Sequence, residues 1–382
     1  MFSICSVSRS PVEVSALDPL GAFVFDDRGQ HKVARVRTAK PPIRLGFFTR
    51  LLDRAEAAER YRLAIAQIVH AERCGFDSAW IAQHHFHEDE GGLPAPFVFL
   101  ALVAAQTSRI RLGTGIVTLP LELPIRVAED AAVLDLMCGG RLEVGVGPGG
   151  NLSAYKAFEL DSDERTALLI RHHRVLLDAW AGRKLPGGDT LYPPNPGLVD
   201  RVWQATFSVD GARRAGAVGD GLMLSRTQPR PKDAPHLSLA AIQDPMIDAY
   251  LAALPKGRAP RILASRTVFA ADDRGEALRL AETGLERQKA RFAAMGRAGF
   301  VEGMSVHDQI AAMDIHIGMP SDVIASLRAD SVLERATDLT VQSHSIDPPH
   351  PFILRSIELV AEIVAPALGW VRNDAAAARH VA

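Results

Sequence analysis

The chain of 382 residues has three cysteines, Cys5, Cys74 and Cys138, set far apart and without a CxxC pair. That argues against a disulfide-stapled scaffold or a zinc knuckle and for a reduced, cytoplasmic setting. An excess of either charge is missing too: 43 Lys and Arg against 45 Asp and Glu leave a net charge of −2. No basic face advertises nucleic acid, and no acidic tail suggests disorder. The longest purely apolar run, "FVFLALVAA" from Phe97 to Ala105, is about half of the roughly 20 residues that span a bilayer, so no membrane segment is expected. No basic stretch precedes an apolar core at the N-terminus, so no signal peptide is read there. What the chain does have is 47% hydrophobic residues, enough to bury one large core or two modest ones.

Residues 1 to 40 lack sustained periodicity and end in the basic, proline-closed "RVRTAKPP". They read as an extension, partly disordered or loosely strapped to the surface. From Ile43 onward, short apolar runs alternate with long amphipathic stretches. The runs are 43–48, 77–82, 109–119, 141–147, 201–207, 221–225, 261–270 and 338–343. Helix-like segments separate or follow them at 60–74, 96–107, 125–137, 164–181, 210–218, 245–253, 275–296 and 351–365. Eight such alternations predict a (β/α)8 TIM barrel over residues 41–370, with insertions at 227–239 and, in helical form, around 303–330, and a tail from 371 to 382. A doubly wound sheet is the alternative, but it uses fewer strands, and the early GxGxxG turn is missing.

In a barrel of this kind the chemistry sits where the strands end. "AWIAQHHFHEDEGG", residues 79 to 92, follows the second run. Alternation puts Trp80, Ala82 and His84 on one side and Ile81, Gln83 and His85 on the other. If Trp80 faces inward, His84 lies at the barrel mouth, where an imidazole moves protons near neutral pH. His85 then points toward the helices as a hydrogen-bonded core residue. A metal site is the competing reading, but the only HxH pair, His85 and His87, starts on the side facing away from the axis. In the third run, Gly113 and Gly115 interrupt a β-branched strand, as close approach of a flat ligand, a bulge or tight helix–strand packing would require. "VGVGPGGN", residues 144 to 151, ends the fourth run in a flexible loop. In "TFSVDGARRAG", residues 206 to 216, Ser208 is an N-cap candidate. The amides behind it form either an ordinary helix start or an anion site.

Taken together, "GFDSAWIAQHHF", "SRIRLGTGIVTLPLELPIRVAEDAAVLDLMCGGRLEVGVGPG", "VDGARRAGAVGDGLML" and the terminal "LTVQSHSIDPPHPFILRSIELVAEIVAPAL" resemble the bacterial luciferase-like flavin monooxygenases from about Ile43 to Leu368. The resemblance implies a (β/α)8 barrel with FMN at its C-terminal mouth and His84 as the catalytic histidine. It implies a non-proline cis peptide at Gly115–Ile116 beneath the flavin, with Phe48 and Thr114 also on the cofactor side. Ser208 and the amides of Val209, Asp210 and Gly211 match the phosphate-binding helix start, and Tyr155 and Phe158 match aromatics of the substrate pocket. Two positions depart from the pattern. Gln83 stands where luciferases have an acid, and Pro148 where they have a phosphate-binding arginine. Arg226 is the replacement cation expected, with Arg213 or Arg214 as further options.

The activity so implied is oxygenation of a small organic substrate by O2 and reduced FMN. The FMN is a co-substrate delivered by a separate NAD(P)H-flavin reductase, since no dinucleotide fingerprint appears here. A homodimer packed through helices near the second and third strands is implied as well. Other readings stay open: a deazaflavin-dependent hydride-transfer enzyme on the same barrel, a flavin-binding protein without turnover, or a metal hydrolase. Substrate choice would lie in loops 83–96, 148–160 and 226–240.

Overall fold

The structure, a computed structural model, describes residues 23–25, 31–33, 42–231, 233–234, 237–294 and 303–372. The chain divides into two units, Met1–Pro41 and Pro42–Ala382. In the first, β1 (Phe23–Phe25) pairs antiparallel with β2 (His31–Val33), Phe23 opposite Val33. The expected disorder of residues 1–40 otherwise falls outside the described residues, as does most of the tail expected from 371.

The second unit is a closed parallel barrel. Its ring runs through β3 (Arg44–Thr49), β4 (Ser78–Ile81), β5 (Arg111–Thr114) with its continuation β6 (Val117–Thr118), β7 (Leu142–Gly147), β8 (Val202–Ala205), β9 (Gly221–Leu224), β10 (Ile262–Ala270) and, past the outlying β11 (Ile315–Gly318), β12 (Asp338–Gln342). β9 pairs with β10, β10 with β12 and β12 with β3, so the ring closes without a free edge. Each of the eight expected runs supplies one barrel strand.

The connecting helices are α1 (Ala57–Cys74), α2 (Pro96–Ala104), α3 (Pro124–Met137), α4 (Leu152–Ala157), α5 (Arg165–Trp180), α6 (Val209–Val218), α7 (Leu239–Ala253) and α8 (Arg274–Ala294). α9 (Val306–Ala312), α10 (Pro320–Arg328) and α11 (Val332–Arg335) flank β11. After β12 come α12 (His350–Leu359), a π turn at Val360–Val364 and α13 (Ala365–Ala367).

Period-two alternation separates two cores. On β3, Leu45 and Phe47 point out into the main core with Ile68, Leu100 and Leu339, whereas Phe48 points into the barrel with Trp80, Trp203, Met223 and Leu263. Trp80 and Trp203 meet edge to face at 5.7 Å. Both indole N–H groups have partners, Ser78 Oγ at 2.9 Å and Glu143 Oε2 at 2.8 Å, so the rings are buried without an unmet donor.

Among the elements that differ from the sequence reading are α7 and β11. α7 starts at Leu239, not near 245, because Ser238 caps it by accepting from Ala241 N at 3.1 Å, and Pro245 is carried inside the helix. The stretch around 303–330, read as helical, contains β11. The barrel uses only the first part of β10, and its last residues, Thr267 to Ala270, pair with Ile315 to Gly318.

Candidate active site

The ladder of β4 stops at Ile81, and the chain continues as a loop at the C-terminal end of the barrel. Trp80 is interior and Ile81 exterior. The His84 amide donates to Leu93 O at 3.0 Å, and its Nδ1 lies 3.6 Å from Glu90 Oε2, with 24% of the side chain accessible. Glu90 is held from two sides: Arg50 Nη2 donates to its carbonyl at 2.7 Å, and Asn151 Nδ2 to its carboxylate at 3.4 Å. A partly exposed imidazole beside a carboxylate suits proton transfer.

The neighbouring histidines go elsewhere. His85 is buried, edge-on to Phe158 at 5.1 Å. It is not the hydrogen-bonded core residue expected, because its Nε2 has no partner among the described residues. Burial lowers its pKa, favouring the neutral ring. His87 Nε2 lies 3.0 Å from Ser153 Oγ. Three histidines thus face three different neighbours and do not converge on a common point.

Gln83, at the position where luciferases have an acid, is a buried clamp. Its Nε2 donates to Glu122 Oε1 at 2.7 Å and Pro94 O at 2.9 Å, and its Oε1 accepts from Thr118 N at 2.7 Å. Its amide reaches Ile116 O at 3.4 Å, which ties the His84 loop to the next strand. There the Gly115–Ile116 peptide is cis.

The glycines of this strand answer to aromatic side chains. A Cβ on Gly113 would lie 2.2 Å from the Trp80 ring, and one on Gly115 would lie 2.6 Å from the Phe48 ring. At both glycines the barrel's own rings, not the helices, meet the space a Cβ would take. Thr114 offers no side chain to a cofactor: it is fully buried, and its hydroxyl donates to Gly145 O at 2.8 Å and accepts from Gly145 N at 2.9 Å.

At the start of α6, Ser208 is the N-cap, accepting from Gly211 N at 3.1 Å. Gly211 N–H is therefore engaged rather than free as expected, and Gly211 itself leaves room for Thr206, whose Oγ1 would lie 1.9 Å from an added Cβ. The amides of Val209 and Asp210 remain as donors without acceptors among the described residues. Of the expected cations, Arg226 and Arg213 have partners of their own, and Arg214 has none among the described residues. Arg226 is buried, donates to Ser345 Oγ at 2.9 Å and stands beside the Asp347 carboxylate. Arg213 pairs with Asp210 in solvent.

Of the two aromatics expected in a substrate pocket, Phe158 presents 42% of its surface and packs against Phe86, itself 66% exposed. Tyr155 does not line an open surface. It is buried with Leu121 and Ala154, its hydroxyl donates to Pro148 O at 2.5 Å, and burial pushes its pKa up to about 12.

Sequence reasoning missed one group at this end of the barrel, carried by "SHSID" after the last strand. Arg50 Nη1 is 2.7 Å from His344 Nε2, and His344 Nδ1 is 3.3 Å from Asp347 Oδ1. Because arginine can only donate, His344 Nε2 accepts and Nδ1 carries the proton toward Asp347. Burial raises the Asp347 pKa against the pull of Arg226, Arg50 and Arg287. A histidine and an acid closing a barrel strand were a readable signal.

The family model for luciferase-like monooxygenases matches residues 44–329. The uncharacterized protein y4vJ of Sinorhizobium fredii is 26% identical over 340 residues, covering 82% of this chain and 93% of that protein. Among solved structures, the oxygenating constituent of 3,6-diketocamphane monooxygenase from Pseudomonas putida, in complex with FMN, superposes with a TM-score of 0.69 at 19% identity, covering 87% of this chain and all of that one. The coenzyme F420 dependent tetrahydromethanopterin reductase of Methanopyrus kandleri superposes with a TM-score of 0.63 at 18% identity, covering 86% and 99% of the two chains.

Proposed function

The chain belongs to the luciferase-like monooxygenase family, and on that premise we propose that it oxygenates a small organic substrate using O2 and reduced FMN delivered by a separate NAD(P)H-flavin reductase. The observation that carries this reading is His84, partly exposed at the barrel mouth with its Nδ1 3.6 Å from Glu90. The loop that presents it is tied through Gln83 to the cis Gly115–Ile116 segment.

The residues present fit FMN. Two unmatched amides at the start of α6, with the hydroxyls of Thr206 and Ser208 beside them, suit a phosphate. The Gly115 backbone, free of a Cβ and backed by Phe48, suits the underside of a flat ring. Reduced FMN supplies the electrons that activate O2. The chain's own part is to bind and orient. His84, with Nδ1 turned to Glu90, holds or releases a proton at Nε2, while Phe86 and Phe158 supply an apolar rim that keeps water from the reacting atoms. The phosphate would rest on the helix amides and hydroxyls.

An exposed apolar face on α2 and α3, including Val98, Leu102, Leu136 and Met137, supports a homodimer packed through these helices. Among the described residues no helix is long and apolar enough to cross a membrane. We read the free thiols of Cys74 and Cys138 as those of a cytoplasmic protein.

Anaerobic titration tests the reading. Reduced FMN should bind more tightly than oxidised FMN, and equal or reversed affinities would count against a two-component monooxygenase. Extraction of a deazaflavin from the purified protein, recognised by its absorption spectrum, would decide for the hydride-transfer alternative.

A further inference from the structure

The helical wall of the barrel has an opening that His84 does not line. α3 packs against α5, and α6 against α7, but between α5 and α6 lies a cavity of about 410 Å³, within the ~300–1,000 Å³ common for small-molecule pockets. Its floor is polar and satisfied: His173 Nε2 lies 2.8 Å from Asp220 Oδ2, and Gln204 Nε2 donates to the same oxygen at 2.9 Å. Its lips are apolar and wet, with Ile170 on α5 and Val218 on α6 both about half exposed (47% and 50%).

The charges in this groove do not balance. Arg174 and Arg183 share one carboxylate, Asp178, at 3.8 and 2.7 Å. Arg214, on the α6 side, has no hydrogen-bond or ion-pair partner among the described residues, and its Nε is closed off from water. The nearest acid on its helix, Asp210, is bonded to Arg213. Burial with so little compensation depresses the Arg214 pKa. A half-buried guanidinium with no partner is costly, and a carboxylate would meet it with charge-assisted hydrogen bonds.

We propose that the groove between α5 and α6 binds a small amphipathic organic anion, its carboxylate on Arg214 and its aliphatic chain against Ile170 and Val218. Arg183 supplies a second cation at the rim, and the buried His173–Asp220 pair closes the bottom. The inference does not rest on the flavin reading: Arg214, one of the options for the flavin phosphate by resemblance, lines this groove instead, and the other residues are not assigned to the barrel mouth.

Octanoate is the probe. Titrated calorimetrically into the full-length protein at pH 7, it should bind one site, and neutral 1-octanol should bind at least tenfold more weakly. Arg214→Met should weaken octanoate at least tenfold while melting no lower than wild type, because it removes an uncompensated cation and keeps the apolar stem. Val218→Glu, an exposed substitution that places a negative charge on the lip, should weaken octanoate as well. If Arg214→Met does not fold, Val218→Glu decides. No saturable binding to the wild type overturns the proposal. So does octanoate binding that survives either folded variant, which would place the fatty acid elsewhere, the barrel mouth included. Equal affinity for octanol and octanoate also overturns it.

Discussion

His84 and Ser208 make different demands on their surroundings, and their substitutions should separate accordingly. His84→Ala should lower the rate of substrate oxygenation by about 10²–10⁴-fold, the range for a positioned acid or base. It should leave the melting temperature nearly unchanged, since the imidazole is partly exposed and its Nδ1–Glu90 distance of 3.6 Å is too long for a strong bond. Unchanged turnover with reduced FMN supplied would remove His84 from the mechanism. Ser208→Ala should act twice. Losing the cap on Gly211 N, now 3.1 Å, costs about 1 kcal/mol of stability. Losing a phosphate-facing hydroxyl should weaken FMN about tenfold, or ~1.4 kcal/mol, with riboflavin affinity unchanged. Thermal melts and paired flavin titrations measure both effects, and an equal loss for both flavins would move the phosphate elsewhere. Both residues were legible from the residues around them, His84 as a histidine in the loop that follows a strand and Ser208 as a serine ahead of an amphipathic helix. Tyr155 and Thr114 were not, because whether a pocket-side residue is exposed or consumed by a neighbour depends on what packs against it.

β11 shows what a single strand can contribute and how it escapes notice. Four residues with one histidine carry too little periodicity to be told from the helical stretch around them. The strand exists because β10 extends beyond the ring and offers an unpaired edge. His316, on β11, is buried with Nδ1 2.7 Å from Ser326 Oγ of α10, and burial pushes its pKa down to about 4. The unfolded chain protonates this group near 6.5, whereas the native protein waits until about 4. The unfolded state therefore binds more protons between those values, so stability falls as pH drops through this window, by about 3 kcal/mol at its acid end. His316→Gln should flatten the melting temperature against pH between 6.5 and 4 and change nothing above 7. A slope identical to wild type would mean that His316 titrates normally. The start of α7 escaped for another local reason: a proline read as a first-turn residue is carried inside the helix once Ser238 caps it earlier.

At the scale of the molecule, apolar residues on the outer faces of α2 and α3 are exposed among the described residues. If they form the subunit contact, Leu102→Glu combined with Leu136→Glu should turn a dimer into a folded monomer, read by light scattering and by an unchanged circular dichroism spectrum. A wild-type protein that already scatters as a monomer would refute the homodimer. These two leucines were visible in the sequence only as helix residues. The faces they occupy became outward-pointing once α2 and α3 had packed on the barrel.

By itself the sequence determined the eight-strand order, the helix start behind Ser208 and the position of His84 shortly after its strand, whereas the inward direction of Trp80 and Phe48 was settled by the fold. The first three follow from a local period of two or 3.6 residues or from capping chemistry, which neighbours in the chain suffice to define. Only the tertiary structure decided that Gly113 yields to the Trp80 ring and Gly115 to the Phe48 ring. It also decided that Gln83 clamps Glu122 and Thr118, that Arg226 turns to Ser345, and that Arg50, His344 and Asp347 meet across the barrel mouth. These contacts join residues from different strands and loops, and closing the barrel is what brings them within reach. A side chain's partner across such a gap is set by the path of the whole chain, which no local pattern encodes.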